Sequence, residues 1–171
     1  MDKIFINTDL DNRIEASAPI IISASRSTDI PAFYAKWFFN RLEKGYCVWY
    51  NPFNQKPMYI SFAKCKVIVF WTKNPKPIIP YLHELDKRGI HYYFQVTLND
   101  YVAEGFEPNV PSLSERIETF KELSKLIGLK ILEINLKDIQ INWFLVLLTL
   151  KPIVKFKIIW LRIHHVLLRT Q

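Results

Sequence analysis

At 171 residues the chain fits one ordinary domain with a single core, and with half its residues hydrophobic and 15% aromatic it is not a disordered chain. Its net charge of +7 is unevenly spread: residues 1–128 carry 16 Lys and Arg against 14 Asp and Glu, and residues 129–171 carry 7 against 2. The main body therefore shows no basic face of the kind that binds nucleic acid by charge alone. Two cysteines, Cys47 and Cys65, are too few for a disulfide framework and have no nearby cysteine or histidine at metal-ligand spacing. With no secretory signal at the start of the chain, reduced thiols and a cytoplasmic location are expected.

Residues 1–18 are polar, carry four acids, and read as a lead-in with a short strand at Ile4–Ile6. Pro19–Ser25 is a short continuous apolar run, the mark of a strand buried on both faces. The polar loop Arg26–Asp29 follows and starts a helix: Thr28 or Asp29 supplies a cap, and Pro31 suits the first turn. That helix is expected to reach Lys44 and stop at Gly45, with Phe33, Trp37, Phe38, Phe39 and Leu42 as its buried stripe. Tyr46–Tyr50 and Met58–Phe62 read as two strands joined by a turn-rich connection, in which Asn51 and Asn54 make turn hydrogen bonds.

Val67–Trp71 is the second buried strand, followed by the loop Thr72–Pro77. A helix from Ile78 to Arg88 is expected to end at Gly89, and His91–Thr97 is the third strand. Trp71 and Phe94 read as core. After a loop with Pro108 and Pro111, Ser112–Glu115 is a capping box. The helix it opens carries Leu113, Ile117, Phe120, Leu123, Ser124 and Ile127 on one face and stops at Gly128.

Short apolar strands alternating with helices predict an α/β fold with a parallel sheet and right-handed crossovers, either a partial (β/α) barrel or an open doubly wound sheet. No glycine-rich turn follows any strand, which disfavours the dinucleotide-binding version. Residues 129–171 break the pattern. They contain no Gly, Ala, Ser or Tyr, and Leu, Ile and Val make up 21 of the 43. Strands at Lys130–Leu136, Asn142–Leu150 and Lys155–Ile163 fit this segment, and its apolar run Trp143–Leu150 is too short to span a bilayer. The composition suits a genuine hydrophobic extension. It also suits a frameshifted or truncated terminus of an AT-rich gene, so the segment is set apart from 1–18 and 19–128.

In parallel α/β folds ligands meet the loops after the carboxyl ends of the strands. The first such loop holds Ser25, Arg26, Ser27, Thr28 and Asp29, the second Thr72, Lys73 and Asn74, and the third Gln95, Thr97 and Asn99. The candidate substrate or anion site is Ser25, Arg26, Asp29, Thr72, Lys73, Asn74 and Gln95. Arg26 offers a planar fork for a phosphate or carboxylate and Lys73 a second positive charge. The competing structural reading pairs Arg26 with Asp29 and makes Asp29 the helix cap. None of His83, His91, His164 and His165 stands beside a cysteine or a carboxylate pair, and no Walker loop, zincin helix or nucleophile elbow occurs. No catalytic residue is assigned.

Ile22–Tyr34, Asn51–Asn54, Val69–Pro75, Tyr93–Thr97, Glu107–Pro111 and Glu115–Phe120 together resemble the uncharacterised bacterial family called domain of unknown function 1848. The resemblance covers residues 19–128 and rests on long motifs in the family's order. That family looks like a distant relative of radical S-adenosylmethionine enzymes such as spore photoproduct lyase. Its members are longer and end in a cysteine-rich segment resembling an iron–sulfur ligand set. This implies a cluster and S-adenosylmethionine in full-length relatives, and no cofactor in this chain. The chain departs from the family after Gly128. A Trp-Arg-Tyr/Phe-Asp-Pro-like strand is expected there, Leu129–Glu133 stands instead, and the terminal cysteines are absent.

The expectation is therefore the N-terminal part of a radical-SAM-like protein, holding a substrate site but inactive alone. The alternatives are a nucleotide or nucleic-acid binding module without catalysis, or a non-functional truncated product. The expected partners are a small molecule or nucleotide and, through exposed strand edges, a second copy, with no membrane span.

Overall fold

The computed structural model describes residues 2–9, 12–25, 28–99, 105, 107, 109–127 and, as backbone, 132–135. All lie in the first of the two units into which the chain divides, Met1–Gln140. Arg26, Ser27 and the strands expected at Asn142–Leu150 and Lys155–Ile163 fall outside the described residues.

The polar start is more than a lead-in. Strands β1 (Asp2–Ile6) and β2 (Ile14–Ala18) form an antiparallel hairpin with Asp2 opposite Ala18 and Ile6 opposite Ile14. In β2, Ala16 and Ala18 are buried while Glu15 is exposed, a period-2 pattern built from side chains too small to mark it as a strand. The hairpin joins β4 (Tyr46–Tyr50) and β5 (Pro57–Ser61) in a mixed sheet of order β1-β2-β5-β4. In the β4–β5 turn the Asn51 Oδ1 accepts from the Phe53 N–H at 2.9 Å and the Asn54 Oδ1 from the Lys56 N–H at 3.0 Å, as the sequence suggests.

The parallel sheet that the strand–helix alternation predicts is present. It consists of β3 (Ile21–Ser23), β6 (Val67–Thr72), β7 (His91–Thr97) and β8 (Leu132–Asn135), in that order and all parallel. It does not close into a barrel among the described residues. One face is covered by helical segments. Phe70 of β6 stacks on Phe94 of β7 at 5.0 Å, and Phe38 meets Phe70 and Phe62 edge-on at 5.5 and 5.9 Å. Ile68, Phe70, Tyr92, Phe94 and Val96 are buried on this side.

The alternate residues Val67, Val69, Trp71, Tyr93, Gln95 and Thr97 are half-buried or exposed, and Ile21 of β3 is 61% exposed. The strands are thus buried on one face and not on both, because the sheet stays open. Trp71, expected in the core, belongs to the open face.

Two helical readings also change. The helix expected to run unbroken to Lys44 is interrupted at Tyr34 (φ −130°, ψ 22°), giving α1 (Ile30–Phe33) and α2 (Ala35–Lys44). The break leaves Phe33 and Trp37 exposed while Phe38, Phe39 and Leu42 stay buried. Gly45 ends α2 in the left-handed region at φ 81°, as predicted. The helix expected from Ile78 begins as a 3₁₀ segment, Lys76–Tyr81, and continues as α3 (Leu82–Lys87). Pro80, inside the segment, lacks the N–H that an α-helix would bond to the Lys76 carbonyl.

The last described helix, α4 (Leu113–Ile127), opens with the expected capping box: the Ser112 N–H and hydroxyl donate to the Glu115 carboxylate at 3.0 and 2.7 Å. Its buried face is Arg116, Thr119, Phe120, Leu123 and Ser124, with Leu113, Ile117 and Ile127 only half-buried. The face is rotated from the expected one because an arginine takes a buried position. No helix among the described residues is long and apolar enough to cross a membrane.

Candidate functional site

The carboxyl ends of β3, β6 and β7 open onto a cleft of about 370 Å³. The loop after β3 contributes Ser25, Thr28 and Asp29, and the end of β6 contributes Trp71, Thr72, Lys73 and Asn74. Thr97, Glu107 and Asn109 complete the wall from the β7 side.

Asp29 joins these loops. Its Oδ1 accepts from the Ala32 N–H at 3.1 Å, capping α1, and its Oδ2 accepts from the Lys73 N–H at 2.8 Å, across 44 residues of sequence. Burial pushes the Asp29 carboxyl above the ordinary aspartate range, against the opposing pull of these hydrogen bonds. In the second loop the Thr72 Oγ1 accepts from the Asn74 N–H at 3.0 Å and the Asn74 Oδ1 from the Lys76 N–H at 3.2 Å. These bonds fix the turn that presents Lys73.

The Lys73 ammonium pairs with the Glu107 carboxylate. Its charge is thus compensated, and the second free cation expected for an anion site is not what Lys73 supplies here. Among the described lining residues the balance is two carboxylates, Asp29 and Glu107, against one ammonium. Ser25 is 6% exposed, and its hydroxyl is closed to water with no hydrogen-bond partner among the described residues. A buried hydroxyl without a partner carries a desolvation cost that a bound polar group relieves. Beside these polar groups stand two apolar walls, Trp71 at 49% and Phe33 at 61% exposed.

Beneath the third loop, Arg116 is 3% exposed and donates to the Thr97 carbonyl at 3.4 Å and to the Asn99 carbonyl. It fixes where β7 ends. Of the seven candidate site residues, Ser25, Asp29, Thr72, Lys73 and Asn74 line the cleft. Gln95 sits on β7 two residues short of Thr97 and is not among the lining residues. Arg26 lies outside the described residues. Sequence reasoning missed Phe33, Trp71, Glu107 and Arg116. For Trp71 the signal was the alternation along β6, which sets residue 71 on the face opposite Phe70.

A larger hollow of about 780 Å³ lies between the 3₁₀ segment and α4. It is lined mostly by Lys and Glu side chains of a solvated helix face, and its buried Thr119 hydroxyl is satisfied by the Glu115 carbonyl at 2.9 Å. Size alone does not make it the site.

The residues do not fit an iron–sulfur cluster. Burial raises both thiols, Cys47 to about 11, so neither is a ready thiolate ligand. No group of three or more His, Cys, Asp or Glu side chains placed to hold a metal occurs among the described residues.

A parallel α/β sheet with a polar cleft at its strand ends defines the general class. The chain belongs to the family described as Domain of unknown function (DUF1848), whose match spans residues 21–136. The match runs past Gly128 and takes in β8, so the family pattern reaches further than the motifs at 19–128 suggest. Comparison with curated proteins and with solved structures gave no match.

Proposed function

We propose that the chain holds the substrate-binding part of an enzyme-like protein of radical S-adenosylmethionine type, with the strand-end cleft taking one small polar molecule. The observation that carries the reading is the Ser25 hydroxyl, buried in the cleft wall without a partner among the described residues. The cleft's place at the carboxyl ends of parallel strands and its volume, in the lower part of the range of about 300–1,000 Å³ for small-molecule sites, support it. Asp29 holds two of the three loops in register, the preorganisation that a binding site needs. Arg26, one residue beyond Ser25 in sequence, is the proposed contact for an anionic group on the ligand. The cluster-bearing part of such chemistry is not assigned to this chain. A nucleotide-binding module without catalysis is the second reading, favoured by the exposed Trp71.

The test fills the cleft. Ala32 is half-buried and lines it. Polar fragments screened against the 171-residue chain by ligand-observed NMR should give hits that Ala32→Phe abolishes while its melting curve stays cooperative. Hits that bind both proteins equally, or no hits at all, would contradict the reading.

A further inference from the structure

We infer that the cleft recognises a flat heteroaromatic ring of nucleoside size, stacked on Trp71 and hydrogen-bonded by Ser25; this rests on the cleft being a ligand site. The register of the sheet brings the two residues together. In the β3–β6 pairing Ile21 faces Val67 and Ser23 faces Val69, and the Ala24 N–H still donates to the Val69 carbonyl at 2.9 Å. Ser25, two residues beyond Ser23, and Trp71, two residues beyond Val69, both line the cleft. A hydroxyl and an indole thus share one end of the sheet.

Trp71 differs from its strand neighbours. Phe70 and Thr72 are buried while half of the Trp71 surface faces solvent, so the fold leaves a large apolar plate uncovered where the cleft opens. Stacking a planar ring removes that surface from water and fits the quadrupole of the indole. Ser25 supplies what an apolar plate cannot: a donor and an acceptor for the edge of the ring.

Charge and size narrow the class further. The described charged groups of the cleft are two carboxylates and one ammonium, and the ammonium is paired with Glu107, so these groups do not themselves supply an unpaired cation. A cleft of about 370 Å³ has room for one ring system with a sugar.

Isothermal titration of the 171-residue chain with adenosine, guanosine, cytidine and uridine tests this, with ribose 5-phosphate as the ringless anionic control. At least one nucleoside should bind and ribose 5-phosphate should not. Trp71→Leu should weaken that nucleoside roughly tenfold or more, and Trp71→Phe should retain most of the affinity, as stacking requires. Ser25→Ala should weaken it by about threefold to tenfold, the loss of one hydrogen bond. Trp71 is exposed, so its variants should melt like the parent. An affinity unchanged in Trp71→Leu overturns the inference, as does binding of ribose 5-phosphate with no nucleoside binding. In that last case, loss of ribose 5-phosphate binding in Ala32→Phe leaves the cleft standing as a ligand site and removes only the ring. Binding of none of the five compounds overturns the inference too, and the fragment screen then decides the cleft separately.

Discussion

Asp29 does two jobs with one carboxylate, capping α1 and holding the Lys73 backbone, and both follow from its place in the loop after β3. Asp29→Ala leaves the Ala32 and Lys73 N–H groups without that acceptor and should lower stability by about 1–3 kcal/mol in urea unfolding. The pH dependence has a definite sign. Because burial raises the folded carboxyl above its ordinary 3.8, its contribution to stability is present below that value and is lost as pH rises through the folded value. Asp29→Asn lacks this loss, so its stability relative to the parent should improve from pH 3.5 to pH 7. No change in that difference would show that Asp29 is not titrating as a buried group. Ser25, Asp29, Thr72, Lys73 and Asn74 were legible in the sequence because short polar runs after apolar strands mark strand-end loops. Trp71 was hidden by its apolar neighbours, and Arg116 by its residue type. An arginine on a helix reads as solvated until the carbonyls of Thr97 and Asn99 are seen beside it.

Element boundaries were most legible where local chemistry decides them. Gly45 and Gly89 sit at φ 81° and 64°, and the Ser112–Glu115 box starts α4. Hydrogen bonds from the Ser112 hydroxyl and N–H hold the Glu115 carboxyl below its ordinary value of 4.5. That contribution is therefore present above pH 4.5 and lost as pH falls through the lower folded value. Glu115→Gln should lose this pH dependence: parent and variant should differ in helix stability at pH 7 and converge at low pH, as followed by amide exchange in residues 113–127. A difference that stays constant with pH would mean that the box is not formed. The strand expected at Ile4–Ile6 is part of β1, and what was missed, its partner β2 included, is set by tertiary packing. The β1–β2 hairpin buries alanines, and the break at Tyr34 turns Phe33 and Trp37 away from the core.

For the molecule as a whole, a parallel sheet of β3, β6 and β7 could be anticipated from the alternation of strands and helices, since each of these strands is short, apolar and followed by a helical segment, whereas β8 falls in the strand expected at Lys130–Leu136, within the segment that breaks the pattern. The mixed sheet could not. It draws β1 and β2 from before the parallel strands and β4 and β5 from between them, and only long-range pairing, such as Ser17 with Ile60, assembles it. The open face of the parallel sheet was equally illegible, because an apolar run does not say how many of its sides are covered. That open face is what exposes Trp71 beside Ser25 at the mouth of the cleft. Chemical-shift mapping of backbone amides during nucleoside titration tests the account most directly. The account predicts shifts concentrated at Ser25, Thr28, Ala32, Trp71–Asn74 and Thr97. Shifts concentrated instead at Lys76, Ile79, Glu118 and Leu126, around the larger hollow, would contradict it.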